Sequence, residues 1–260
     1  KIYPEYKGTR KVKRRLNRNV DWGTAPADEQ QSMKQQMGRL IEYLEQLPLT
    51  LICVDGIEAD DTMAYISQQL LPKSDIMLMS TDKDFLQLVD DRVKVWSPTK
   101  KKLYTKQVIQ EEFGLPSRNM LTYRILDGDK SDNINGIKGA GLKTVKKFLP
   151  GILDEEKFTA KDLLEFVNNS DSKIKLLENI KKGSNLIKRN YLLMQLQNVD
   201  IPNHTKMKIQ GAVNGDVPQL IKYKFQTMFL KDKLQTGIKN FDSWVMEFTR
   251  LDRFRGLSDR

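Results

Sequence analysis

Glu58, Asp60 and Asp61 follow directly on a short apolar run, Asp82 and Asp84 follow a second, and Asp127, Asp129 and Asp132 share the loop LDGDKSDN. Two carboxylates about 4 Å apart repel by roughly 4 kcal/mol at an effective dielectric of 20. Groups that converge raise their own pKa values unless cations neutralise them, and a hard, oxygen-bound divalent ion such as Mg²⁺ or Mn²⁺ is the simplest partner. Two such ions about 3.5–4 Å apart activate a water and stabilise the attacking and leaving oxygens of a phosphodiester displacement. Taken singly, each acid also fits a helix cap, because Asp at a strand-to-helix turn accepts from orphan N–H groups. The single histidine, His204, and single cysteine, Cys53, exclude a zinc site or mechanism needing several such ligands and exclude an internal disulfide.

The balance of charge points to a polyanion. Forty-four Lys and Arg against thirty-four Asp and Glu leave +10 over 260 residues, a surface field that favours nucleic acid or an anionic membrane. Between Tyr6 and Arg18 stand Lys7, Arg10, Lys11, Lys13, Arg14, Arg15 and Arg18 with no acid among them. Such a run is either a solvated helix face or a segment whose self-repulsion is relieved by phosphates. Farther along, NINGIKGAGLKTVKKFL reads as a glycine hairpin between two helices: Gly136, Gly139 and Gly141 permit close backbone approach. Lys138, Lys143, Lys146 and Lys147 add charge there, and Thr144 sits among the N–H groups that open the next helix. The pattern fits sequence-independent contact with a DNA backbone, or else an ordinary glycine-rich connection. It lacks the adjacent Gly-Lys and the four-residue spacing of a Walker A loop.

The elements that must carry these residues are readable from periodicity. LTLICV at 49–54 and DIMLMS at 75–80 are short continuous apolar runs, as in strands buried on both faces of a parallel sheet, and Cys53 reads as core filling. Helical patterns run over 28–46 (Met33, Met37, Leu40, Ile41 and Leu44 on one face), 57–71 and 84–89, and Val93–Trp96 is a further strand. Strands alternating with helices predict a doubly wound, mainly parallel α/β domain over about 1–106 with a basic arch at about 3–46. The acids then fall at the carboxyl ends of parallel strands, where such sheets place their ligands. Beyond Pro98 the pattern is helical, giving a mainly α region over 107–260 that includes a docked helix at 237–248. No apolar run approaches the roughly 20 residues that span a bilayer and no secretory signal is visible, so the chain reads as soluble and intracellular. It opens on Lys1 rather than Met, as the middle of a longer sequence would.

Tyr3-Pro4-Glu5-Tyr6-Lys7-Gly8-Thr9-Arg10, Glu58-Ala59-Asp60-Asp61, Ser80-Thr81-Asp82-Lys83-Asp84-Phe85 and Gly128-Asp129-Lys130-Ser131-Asp132-Asn133 through Gly141 resemble, in that order, the motifs of the 5′-nuclease (flap endonuclease) superfamily. Val95-Trp96-Ser97-Pro98 with Lys100–Lys102, and the stretch from Phe225 to Phe248, are most similar to the ribonuclease H branch found in T-even phages. The resemblance implies a PIN-like nuclease domain, its N-terminal strand missing here, followed by a helix–hairpin–helix region at about 128–149. It implies a structure-specific 5′→3′ exonuclease and flap endonuclease that removes RNA primers and 5′ flaps in phage DNA replication, using two Mg²⁺ or Mn²⁺ ions.

On the same resemblance, Glu58, Asp60, Asp82 and Asp84 bind or adjoin the first metal with Asp61 close by, and Asp129 and Asp132 serve the second. Lys7 and Arg10 stabilise the reacting phosphate and Tyr6 lines the gateway of a mobile arch, to which Lys11, Lys13, Arg14 and Arg15 belong. The hairpin grips uncleaved duplex and holds K⁺ through backbone carbonyls. Implied partners are DNA and RNA/DNA with 5′ flaps or ends, a sliding clamp and a single-strand-binding protein, for a monomer in the cytoplasm of an infected bacterium, with no membrane. Family members carry two further metal-binding Asp residues upstream of the Tyr-Pro-Glu-Tyr-Lys motif, which this sequence does not contain. The rivals are therefore a catalytically incomplete branched-DNA-binding remnant and the exonuclease domain of a DNA polymerase.

Overall fold

The computed structural model describes residues 3–8, 26–154 and 156–253, with side chains described from residue 31 onward in the second stretch. In chain order the elements are α1 (Pro26–Leu44), α2 (Ala59–Tyr65), β1 (Ile76–Met79), β2 (Val93–Ser97), β3 (Lys102–Tyr104), α3 (Lys106–Phe113), α4 (Met120–Asp127), β4 (Gly128–Asp129) and β5 (Ile134–Asn135). They continue with α5 (Leu142–Phe148), α6 (Ala160–Asn168), α7 (Lys175–Lys182), α8 (Ser184–Met194), α9 (Asn203–Asn214), α10 (Lys222–Lys231) and α11 (Phe241–Asp252). The chain forms two compact units, residues 1–14 with 57–201 and residues 15–56 with 202–260. The first unit runs across residue 106, where the sequence pattern changes character.

In the first unit, β1 pairs in parallel with β2 and β2 pairs antiparallel with β3. The parallel pair joins the run at 75–80 to the further strand at 93–96 rather than to the run at 49–54, and β1 is not buried on both faces, since Met77 and Met79 are exposed. β3 interrupts a region expected to be helical throughout. β2 lies in the middle of the sheet, and its inward residues Val93, Val95 and Ser97 are buried while Lys94 and Trp96 on the opposite face are partly exposed. The stretch 84–89 forms a 3₁₀ helix at Lys83–Leu88 rather than an α-helix, and the pattern at 57–71 divides into α2 and a π-helical turn at Ile66–Leu70. Phe85, Leu86, Val93, Val95, Ile109, Leu115, Met120, Ile125 and Leu126 are buried in this unit, where the 3₁₀ helix at 83–88 packs on both β2 and α4, and α8 packs on α4.

The expected strand at 49–54 does not form. These residues belong to the second unit, which holds no strand among the described residues, so the run has no ladder to join. Cys53 is accordingly exposed instead of filling a core. The apolar face expected of α1 is largely uncovered: Met33, Met37, Leu40 and Ile41 are exposed, whereas Tyr43 and, just past the helix, Leu47 enter a cluster with Phe225, Met228 and Phe229. Leu44, Phe241, Trp244 and Phe248 pack against that cluster, as the helical spacing at 237–248 requires of the last three. Beside that cluster, Arg39 Nε donates to Asp232 Oδ2 at 2.6 Å and the Tyr43 hydroxyl donates to the same oxygen at 2.7 Å.

One buried side chain ties α4 to the turn that follows it. Asn190 on α8 donates to the carbonyls of Ile125 and Asn135, both at 2.9 Å. Asn190→Ala removes both bonds, one of them to a buried carbonyl, and is expected to cost about 1–3 kcal/mol, read as a lower urea midpoint at unchanged slope.

Candidate metal site and phosphate-facing residues

The site begins where β1 ends. Ser80 continues the ladder by donating its N–H to the Trp96 carbonyl at 3.0 Å, and its Oγ accepts from the Asp82 N–H at 3.1 Å. Asp82 is extended and caps the 3₁₀ helix, its Oδ1 accepting from the Asp84 N–H at 2.8 Å. Capping therefore does explain one oxygen of Asp82, and the same turn presents Asp84 at the carboxyl end of a parallel strand. Glu58, by contrast, precedes α2 without making a side-chain cap.

Asp129 arrives from the other side of the sequence. α4 stops because Gly128 takes φ +77°, and a Cβ there or at Gly136 would run into the facing backbone of Ile134–Gly136 or of Asp127. Only glycine allows this approach. Asp129 is thereby turned so that its Oδ1 accepts from the Ser131 N–H at 2.7 Å and the Ser131 hydroxyl at 2.5 Å. One carboxylate oxygen each from Asp82, Asp84 and Asp129 lies within 4.8 Å of the others, and Asp82 and Asp129 line a cleft of about 640 Å³. Three hard oxygen donors at this spacing fit a divalent cation such as Mg²⁺ or Mn²⁺.

The electrostatics agree with a place for a cation. Burial pushes the Asp84 carboxyl up to about 6, and Asp82 and Asp129 push the same way, against the pull of Arg124. Burial also raises Asp60, with Asp82 the next largest cause, and raises Asp61 together with Glu58 and Asp60. Asp129 is held below the usual carboxylate range, because bonds from Ser131 and the charge of Arg124 outweigh its burial.

Residues 3–8 bring a lysine to this rim. The Lys7 N–H donates to the Asp132 carbonyl at 3.0 Å, and the Asn133 side chain donates to the Glu5 carbonyl at 3.1 Å. Lys7 itself takes φ +55°, an uncommon conformation for a lysine. Its ammonium donates to Glu58, and the Tyr6 hydroxyl lies 3.4 Å from the same carboxylate. Burial alone would lower the Lys7 pKa, but the bonds to Glu58 and Tyr6 leave it raised. Lys7, Tyr6, Glu58, Asp60 and Asp61 thus form a second group, which also feels the charges of Asp82 and Asp132. Asp132 stands outside the trio that Asp129 joins, so the geometry groups Asp129 with Asp82 and Asp84. Arg10, Lys11, Lys13, Arg14 and Arg15 lie outside the described residues.

At the glycine turn, α4 and α5 are separated by the short β4–β5 ladder, which periodicity could not reveal. Gly139 has φ +86° with open space beside it, and Gly141 is equally open, while Gly136 is packed against Asp127. The Lys138 carbonyl accepts from Asn179 at 2.8 Å. α5 has only seven residues, so the positive charge here comes from side chains more than from a macrodipole. Lys143 and Lys147 are exposed, while Thr144 and Lys146 are half-buried.

The functional residue that periodicity missed is Arg124. Its side chain is 6 % exposed and bridges Asp84 and Asp129. A basic residue inside the apolar helix MLTYRIL is the one signal that could have marked it.

Residues 1–114 match the model of the 5′-3′ exonuclease N-terminal, resolvase-like domain. A 5′-3′ exonuclease of Buchnera aphidicola subsp. Acyrthosiphon pisum (strain APS) is 31% identical over 183 residues, covering 66% of this chain and 60% of the relative. One of Aquifex aeolicus (strain VF5) is 36% identical over 118 residues, 45% of this chain and 41% of that protein. The chain therefore spans less than two thirds of the length of these relatives. Among solved structures, T5 5′-exonuclease with bound zinc aligns at TM-score 0.60 and 24% identity over 88% of this chain and 78% of that one, a likeness of fold. The fold is a resolvase-like, PIN-type domain with a helical region.

Proposed function

We propose that the chain is a member of the 5′-nuclease superfamily of 5′-3′ exonucleases and flap endonucleases, which the match of residues 1–114 and the similarity to a curated 5′-3′ exonuclease support, and that it is a structure-specific 5′→3′ exonuclease and flap endonuclease that hydrolyses phosphodiesters with two divalent metal ions. The observation that carries this is the convergence of Asp82, Asp84 and Asp129 within 4.8 Å, with Lys7 held on Glu58 nearby.

Bound Mg²⁺ or Mn²⁺ would supply water activation and charge for the leaving oxygen. Asp82, Asp84 and Asp129 would hold one ion, with Glu58, Asp60, Asp61 and Asp132 as the remaining acids around the reaction centre. Lys7 offers its ammonium to the non-bridging oxygens of the scissile phosphate, where negative charge grows during displacement. Tyr6 keeps that ammonium in place beside Glu58. The glycine turn and the lysines of α5 would lie along uncleaved duplex, and the carbonyls of that turn are donors of the kind K⁺ takes. Primer and flap removal in phage DNA replication, by a monomer in the cytoplasm of an infected bacterium with a sliding clamp and a single-strand-binding protein as partners, completes the proposal and rests on the resemblance of the motifs.

The test uses a 5′-labelled flap substrate with Mg²⁺, with Mn²⁺ and with chelator. Short 5′ products released near the branch in either metal, and none in chelator, are expected. Tight flap binding without cleavage in both metals would instead identify a branched-DNA-binding protein. Duplex contact has its own measurement: Lys143→Ala or Lys147→Ala should weaken binding to every sequence alike and reduce the salt slope by about one phosphate contact. A sequence-dependent loss would exclude a backbone role.

A further inference from the structure

Arg124 lies at the centre of the acidic trio and none of the sequence motifs includes it. Its Nε donates to Asp84 Oδ1 at 2.8 Å and its Nη2 to Asp129 Oδ2 at 2.7 Å. Nη1 donates to the Gly128 carbonyl at 3.2 Å and stands 3.7 Å from Asp127 Oδ2. The two carboxylates it joins come from separate elements, Asp84 lying 40 residues before it and Asp129 five residues after. Arg124 is thus the side chain that joins Asp84 to Asp129, while Asp82 Oδ1 accepts from the Asp84 backbone N–H.

We propose that Arg124 is a positioning residue, an internal cation that clamps Asp84 and Asp129 at ligand spacing before a divalent metal arrives. The inference rests on the metal-dependent reading above. Three carboxylates and one guanidinium leave a formal charge of −2, which one divalent ion balances. A planar fork suits the task, since it engages two carboxylates at once along fixed directions, whereas an ammonium is a single point of charge. Charge and geometry oppose each other here. As a cation Arg124 repels the metal, and as a clamp it prepares the ligands, so the sign of the change on substitution separates the two. Removing it strengthens metal binding if only its charge matters and weakens binding if the clamp matters.

The experiment titrates Mn²⁺ into the full chain without DNA, by calorimetry, for the unsubstituted protein, Arg124→Lys and Arg124→Gln. Both variants are expected to bind at least tenfold more weakly, the glutamine variant in spite of losing the positive charge that repels the metal. Equal or tighter binding by Arg124→Gln overturns the clamp. No binding by the unsubstituted chain overturns the metal reading itself and the clamp with it. A second measurement needs no substitution: the Arg124 Nε–H, bonded to Asp84 and buried, should exchange slowly with solvent and should stay equally protected when Mg²⁺ is present, as the clamp persists in the metal-bound form. Loss of that protection would show that metal displaces Arg124 and would overturn the proposal even if neither variant folds.

Discussion

Asp82→Asn combined with Asp84→Asn removes the rise in melting temperature that Mg²⁺ gives the unsubstituted protein. Binding to the folded form alone, at a metal concentration of 100 times Kd, is worth about 2.7 kcal/mol. For a chain of this size that is a shift of roughly 5–10 °C, read in the transition of the unit that holds the site. The double variant keeps Asp129 and the acids around Lys7, yet it loses two of the three oxygens that approach within 4.8 Å, and an amide oxygen is a far weaker ligand than a carboxylate. In the absence of metal the change has two opposing parts. Repulsion within the cluster falls, while Arg124 loses one of its two close charged partners. The metal-free melting temperature therefore moves less than the metal response does. A Mg²⁺ shift of undiminished size in the double variant would remove both residues from the site.

Lys7→Ala reduces single-turnover cleavage of a 5′-flap substrate by roughly 10²-fold, the size expected when one pre-positioned donor is taken from a developing charge. The case for so large an effect is the fixing of Lys7: a left-handed backbone conformation, an N–H bonded to the Asp132 carbonyl, and an ammonium seated on Glu58. A side chain already ordered loses little entropy when the substrate arrives. Duplex affinity should change little in the same variant, whereas Lys143→Ala should lose affinity and keep its cleavage rate once bound. Measured at two salt concentrations, the reverse pattern would exchange the roles of the two lysines.

The acids were legible because an apolar run with Asp just beyond it is visible without any knowledge of pairing, and β1 and β2 stand where DIMLMS and Val93–Trp96 place them, although Met77 and Met79 of β1 are exposed rather than buried. The run at 49–54 has the same composition and forms no strand, because a strand is a ladder and the ladder depends on a neighbour that composition does not name. β4 and β5 have two residues each, too few for any period, and their pairing rests on the mutual approach of Gly128 and Gly136. Arg124 escaped for a related reason. Its importance lies in a bond to a residue 40 positions away, and locally it looks like a polar position on a helix. The exposed stripe on α1 is the converse case: Met33 and Met37 satisfy a helical period, yet the contact that buries part of α1 is made by Tyr43 and Leu44 against aromatic residues far along the chain.

The aromatic cluster of the second unit is built from the two ends of the chain, with Tyr43 and Asp232 joined across 189 residues. A ribosome adding about 5–20 residues per second makes Asp232 roughly 10–40 s after Tyr43. Closing so long a loop costs little more in equilibrium stability than closing one half as long, because the entropy grows only with the logarithm of length. The burden is one of timing. Throughout that interval Tyr43 and Leu47 wait without the phenylalanines that cover them, while residues 57–201 of the first unit are already outside or emerging. Nascent chains halted before Lys222 should thus hold an intact first unit and an uncovered α1, the form on which a chaperone that grips exposed apolar helices would act.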